Sequence, residues 1–252
     1  MIHFVGAGCG APDLITLRGA RLIEQADVII YAGSLVNPAL LAQAKGDCEI
    51  HNSATMTLDE VIARMQRAEA ESKSTVRLHT GDPSIYGAIR EQMDRLDRLG
   101  ISFDVCPGVS SFCGAAAALR AEYTLPEVSQ SVVITRMAGR TPVPERESIR
   151  AFASHGATMV IFLSTGMTGQ LQNELLLGGY AADTPAAIVY KASWPDERVL
   201  RCTVGTLHQT AEESGIRNLA LITVGNFLGT QSALSKLYDP AFTTAFREGR
   251  PE

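Results

Sequence analysis

Along the 252-residue chain, short β-branched runs alternate with longer stretches in which apolar residues recur every three or four positions. The runs predict strands at residues 2–5, 28–31, 75–79 and 103–106, interleaved with helices near 16–25, 58–71, 86–99 and 110–119. After a less patterned stretch at 121–130 the alternation restarts. Strands are predicted at 132–135, 159–163, 186–190, 199–204 and 219–224, with helices near 146–154, 168–177 and 206–214. Such alternation predicts an α/β fold with mostly parallel sheets covered by helices on both faces. It divides into an N-terminal domain, 1–122, and a C-terminal domain, 123–252, each of ordinary domain size.

Composition narrows the class. An apolar content of 46% supports a large buried core, and the formal charge of −5 is spread without a basic block, so neither nucleic acid nor an anionic membrane is an expected partner. The five cysteines (Cys9, Cys48, Cys106, Cys113, Cys202) form no C-x-x-C pair and are odd in number, as a reducing cytosol permits. The first residues run straight into a strand without a signal-like segment, and no apolar stretch nears the ~18 residues that span a bilayer, so a cytoplasmic protein is expected. The five histidines show no ligand spacing, and no metal is expected.

The first strand breaks into "VGAGCGAPD" (5–13), which satisfies G-x-G-x-x-A and invites reading as a dinucleotide cradle. That reading needs an acid at the carboxyl end of the second strand, to reach the ribose hydroxyls. The strand instead ends "VIIYAGS", and Asp27 lies at its amino end. No Gly-Lys-Ser/Thr follows any glycine loop, so a P-loop is excluded as well. The glycines are read as permitting close approach of something bulky to a strand tip. After the third strand, "HTGDPSIYGAI" (79–89) uses Gly81 and Pro83 to turn sharply, leaving Asp82 at the carboxyl edge of the sheet, where open α/β sheets bind ligands.

Taken in order, "VGAGCGAPDLITLRG", "HTGDPSIYG" and "CPGVSS" (106–111) resemble the tetrapyrrole methylases, which move methyl groups from S-adenosylmethionine onto corrin and sirohaem precursors. Within that family "YAGSLVNP" (31–38), "TRMAGRTPVPE" (135–145) and "VYKASWPDER" (189–198) look like the branch that methylates carbon 11 of precorrin-4 or cobalt-precorrin-4. The resemblance covers residues 2 to about 228. It implies two α/β domains with a cleft between them, a homodimer, a tetrapyrrole substrate, and S-adenosylmethionine held mainly by backbone groups. Transferred position by position, it assigns cofactor contacts to Gly81, Asp82, Ile85, Ser110, Ser111, Leu163, Ser164, Lys191, Ala192 and Ala220, and lays the first glycine loop under the macrocycle. Cys9 and Ala11 stand where the family usually has Pro and Asp, and Ala32 replaces the aspartate of the uroporphyrinogen-methylating relatives.

The acetate and propionate groups of such a substrate call for guanidinium partners. Arg18, Arg136 and Arg140, beside family-like motifs, are the candidates, with Tyr86 positioning the ring; Trp194 is read as packing or as a roof. Three alternatives stand beside this reading: a methylase acting at another ring position, a non-catalytic tetrapyrrole carrier, and a nicotinamide-dependent oxidoreductase suggested by the first loop alone.

Overall fold

The computed structural model describes residues 1–229 and 235–250. Its strands and helices run β1 (Ile2–Gly6), α1 (Leu17–Gln25), β2 (Val28–Tyr31), α2 (Pro38–Leu41), β3 (Glu49–Asn52), α3 (Leu58–Ala70), β4 (Thr75–His79), α4 (Arg90–Arg98), β5 (Phe103–Cys106) and α5 (Ser111–Leu119). They continue as β6 (Val132–Arg136), α6 (Ile149–Ala153), β7 (Thr158–Phe162), α7 (Thr168–Leu177), β8 (Pro185–Tyr190), β9 (Arg198–Thr203), α8 (Leu207–Ser214) and β10 (Ala220–Val224). No helix among the described residues is long and apolar enough to cross a membrane. The chain resolves into two compact units: Met1–Ala115 with Lys191–Glu197, and Ala116–Tyr190 with Arg198–Glu252.

The first unit holds a sheet of order β3-β2-β4-β1-β5, every pair parallel. Its inner strands β1, β2 and β4 are buried on both faces; β2 reads as an apolar run, whereas β4 (TVRLH) alternates polar and apolar residues and buries both kinds, Arg77 and His79 included. Val5, Ile29, Val76 and Leu78 pack on one side with Ile23 and Leu40, while Ile2, Phe4, Val28 and Ile30 pack on the other with Ile62, Met65 and Leu96. Helix starts are set locally. Thr16 caps α1, and at α3 the Thr57 hydroxyl accepts from the Glu60 amide while the Glu60 carboxylate accepts from the Thr57 amide.

The second unit holds a sheet of order β6-β7-β10-β8-β9 in which only β6 and β7 are parallel. Here the expectation of mostly parallel strands is corrected. β8 and β9 are joined by residues 191–197, too short for the crossover that parallel neighbours require, so they pair as a hairpin with Tyr190 opposite Arg198. β10 enters between β7 and β8 and runs antiparallel to both. The core beneath includes Met159, Ile161, Ile188, Leu171, Leu175 and Ile222. Two elements carry no clear sequence pattern, the edge strand β3 and the single-turn helix α2; the predicted helix at 86–99 begins only at Arg90.

Candidate functional site

In a parallel sheet all carboxyl ends lie at one edge, so β1, β4 and β5 of the first unit deliver Gly8, Gly81 and Gly108 to the same place. The amide of Gly81 donates to the Gly8 carbonyl at 2.9 Å, and the amide of Gly8 donates back to the Gly81 carbonyl at 3.3 Å. A Cβ on Gly6 would lie 2.5 Å from the Gly81 carbonyl oxygen and 2.6 Å from the Gly108 Cα. One on Gly8 would lie 2.8 Å from the Leu14 carbonyl oxygen, and one on Gly10 would enter the Trp194 indole. At each of these glycines the protein's own backbone or side chains come closer than a Cβ would allow. Trp194 packs half-buried against Gly10, and Asn37 Nδ2 donates to the Gly10 carbonyl at 2.9 Å.

Asp82 ties two of these loops together. One carboxylate oxygen accepts from the Ser84 amide at 2.8 Å and from the Ser84 hydroxyl; the other accepts from the Gly108 amide at 2.8 Å. Burial pushes this carboxyl up, but the bonds from Ser84 and Gly108 outweigh it and hold it below the usual range. It therefore stays ionised at neutral pH, a fixed negative charge at the sheet edge. Gly81, at φ +63°, lies against Ser110 and the Ser111 amide, each 3.5 Å from where its Cβ would stand. Ile85 is half-buried, whereas Tyr86 is 45% exposed and holds φ +56°. The structure thus brings Gly81, Asp82, Ser110 and Ser111 together, with Ile85 in the same loop.

In the second unit β6 and β7 end, and β10 begins, at one edge: Arg136 is opposite Phe162, and Ile161 is opposite Ile222. Leu163, 66% exposed, has φ +52°, and Leu219, just before β10, has φ +57°. Left-handed backbone at non-glycine residues costs of order 1–3 kcal/mol and persists only where its surroundings impose it, which is common at ligand sites. Ser164 is fully buried; its hydroxyl accepts from the Met137 amide at 2.9 Å and donates to the Phe162 carbonyl at 2.6 Å. The Ala220 carbonyl accepts from the Thr165 hydroxyl at 3.0 Å. Leu163, Ser164 and Ala220 thus meet at one edge.

Following Tyr190, Lys191 also has positive φ (+46°), and its ammonium lies 2.6 Å from Asp196 and 5.5 Å from the Trp194 ring centre. Ala192 is buried. The arginines behave differently from one another. Arg136 donates to the carbonyls of Met137 (3.1 Å), Thr141 (3.2 Å) and Pro142 (2.9 Å), so its guanidinium staples the loop that follows β6; Arg18 and Arg140 are exposed. Sequence reasoning passed over Gly108, Thr165 and Leu219; only the first had a signal, as the glycine of "CPGVSS".

The sequence model of the tetrapyrrole (corrin/porphyrin) methylases matches residues 1–208, and the chain belongs to that family. It is a methyltransferase that uses S-adenosylmethionine and acts on a tetrapyrrole. It is 52% identical to the cobalt-precorrin-4 C(11)-methyltransferase of Methanocaldococcus jannaschii over 98% of this chain and 96% of that one. The X-ray structure of a cobalamin biosynthetic enzyme, cobalt-precorrin-4 methyltransferase, superimposes with a TM-score of 0.89 at 45% identity, covering 91% of this chain and 96% of that one. Uroporphyrin-III C-methyltransferase from Thermus thermophilus, complexed with S-adenosylhomocysteine, gives a TM-score of 0.76 at 28% identity, covering 90% and 93%.

Proposed function

We propose that this chain methylates carbon 11 of the precorrin-4 ring, with or without cobalt, in cobalamin biosynthesis. The observation that carries the reading is the near-full-length identity of 52% to an enzyme of that name, and no sequence feature favours another ring position as strongly. When bound, S-adenosylmethionine supplies the methyl group from a sulfonium whose positive charge disperses during transfer.

The residues present suit such a group. Asp82 keeps a carboxylate at the edge of the first sheet, favourable to a cation. Ile85 in the first unit and Leu163 in the second each offer apolar surface of the kind that suits a desolvated sulfonium. The backbone of Ser110, Ser111, Lys191 and Ala192 offers polar groups, whereas the Gly81 backbone is spent on Gly8, the Ala220 carbonyl on Thr165 and the Ser164 hydroxyl on Met137 and Phe162, so that these three act by shaping their loops. Toward the substrate we assign carboxylate recognition to Arg18 and Arg140, ring positioning to Tyr86, and to Arg136 the shaping of the 137–142 loop as much as direct pairing. Holding donor and acceptor carbon ~3–3.5 Å apart supplies much of the rate in such a transfer. The active form in this reading is a cytoplasmic homodimer.

Purified protein incubated with S-adenosylmethionine and either precorrin-4 or its cobalt complex tests the assignment. The expected product gains one methyl mass with the new carbon at position 11. A methyl at another carbon would move the chain to a sister activity, and binding of either ring without turnover would make it a carrier.

A further inference from the structure

Arg77 of β4 is 6% exposed and has no carboxylate partner among the described residues. Its Nη1 donates to the Ile30 carbonyl of β2 at 3.0 Å, and its Nε donates to Gln92 Oε1 of α4 at 2.9 Å. Gln92 is 5% exposed, and its Nε2 donates to the Ala88 carbonyl at 3.0 Å. Arginine has no acceptor, so the amide of Gln92 is held one way round, with its oxygen on Arg77 and its nitrogen left for Ala88. A chain of hydrogen bonds therefore runs from the centre of the first sheet to the loop after β4.

That loop is under strain where the chain reaches it. Tyr86 and Ala88 hold φ values of +56° and +49°, and Gly87 between them lies so close to Pro83 that a Cβ would strike the Pro83 carbonyl. Asp82 fixes the start of the segment to Gly108, and the Gln92 amide fixes its end at Ala88. Ile85 and Tyr86 lie between these two anchors. Helix α4 begins two residues beyond Ala88 without a side-chain cap, and the Gln92 bond is a side-chain tie at that end.

We infer that Gln92, oriented by Arg77, is a positioning residue for the ligand-binding loop: it sets the backbone of Ile85–Ala88 and so the affinity for the S-adenosyl group without touching it. The inference rests on the reading that this loop binds that group. A buried arginine without a counter-ion costs desolvation energy that an apolar pair would avoid, so its presence asks for a role that packing does not supply.

The substitution Gln92→Glu separates positioning from folding. A carboxylate still accepts from Arg77, and as its counter-ion maintains or raises stability, but it cannot donate to the Ala88 carbonyl and repels it. Calorimetric titration with S-adenosylhomocysteine is expected to show affinity about tenfold weaker in Gln92→Glu, the scale of one lost hydrogen bond. Its melting temperature is expected to stay at or above that of the wild type, with faster amide hydrogen exchange confined to residues 84–89. Unchanged affinity in Gln92→Glu overturns the inference. So does weakened affinity accompanied by exchange that rises throughout the first unit, which would make Gln92 a core residue only. Gln92→Met, which removes both bonds, covers the case in which the glutamate variant does not fold. Titrated below its melting point, it should bind as weakly as the inference requires, and wild-type affinity there refutes it. Failure of the wild-type protein to bind S-adenosylhomocysteine would instead strike the functional reading itself.

Discussion

Asp82 shows how one side chain can be a ligand candidate and a structural element together. Both of its oxygens are filled by the protein's own donors, which an asparagine cannot reproduce, because its amide nitrogen would face either Gly108 N–H or the Ser84 donors. We therefore expect Asp82→Asn to destabilise the unliganded protein by about 1.5–3 kcal/mol at pH 7, the range for bonds to a charged acceptor, measured by urea unfolding. Because the folded-state pKa is depressed, this contribution is complete above the ordinary carboxyl value near 3.8 and disappears as pH falls through the lower folded-state value. Wild type and variant should accordingly converge in stability under acid, and a gap that persists there would mean that the charge is not what the loop uses. Arg136 offers the complementary case. With its guanidinium already on three carbonyls, Arg136→Ala should speed proteolysis within residues 137–142 and cost about 1 kcal/mol. A loss of tetrapyrrole affinity with unchanged loop cleavage would return Arg136 to direct substrate pairing.

At the scale of elements, the meeting of β1, β4 and β5 at their carboxyl ends is close enough that glycine is obligatory. Gly6→Ala places a methyl against the Gly81 carbonyl and the Gly108 backbone, neither of which has a flexible end to move. Overpacking of this kind costs about 1–3 kcal/mol, which in a chain of this size lowers the melting temperature by about 2–4 °C for each kcal/mol; an unchanged melting curve would show that the loops yield. The first sheet was readable because strands buried on both faces have few ways to be arranged, and the predicted β2, β4 and β5 match the structure end to end. β3 escaped notice because an edge strand, "EIHN", needs only one apolar residue in four. The orientation of β8 and β9 was recoverable from the length of their connection but not from periodicity, which is the same for parallel and antiparallel strands. The motifs marked the glycine loops but not their neighbours, since a sequence shows that a Cβ is absent and not which atoms lie where it would stand. The two-sided engagement of Asp82 was invisible because Gly108 reaches it from a separate loop, and the carbonyl-bound Arg136 because the path of the irregular 137–142 loop carries no periodic signal.

For the molecule as a whole, the two sheets differ in when they can be finished. All strands of the first are present once residue 106 has been made, whereas the second lacks its central strand until residues 220–224 exist. Before then β7 and β8 each present an unpaired edge, the feature that makes partly folded sheets self-associate. A chain stopped after residue 218 is expected to accumulate in the insoluble fraction when expressed, and its recovery as a soluble, cooperatively melting species would show that the second sheet closes without β10. On the ribosome, domains fold as they emerge, at roughly 5–20 residues per second. The N-terminal sheet can therefore close early, while β7 waits several seconds for the partner that will lie beside it. The hazard of synthesis is thus concentrated in one interval of the message, between the codons for β7 and β10, and it is there that slow translation or scarce chaperone should lower the yield of active enzyme.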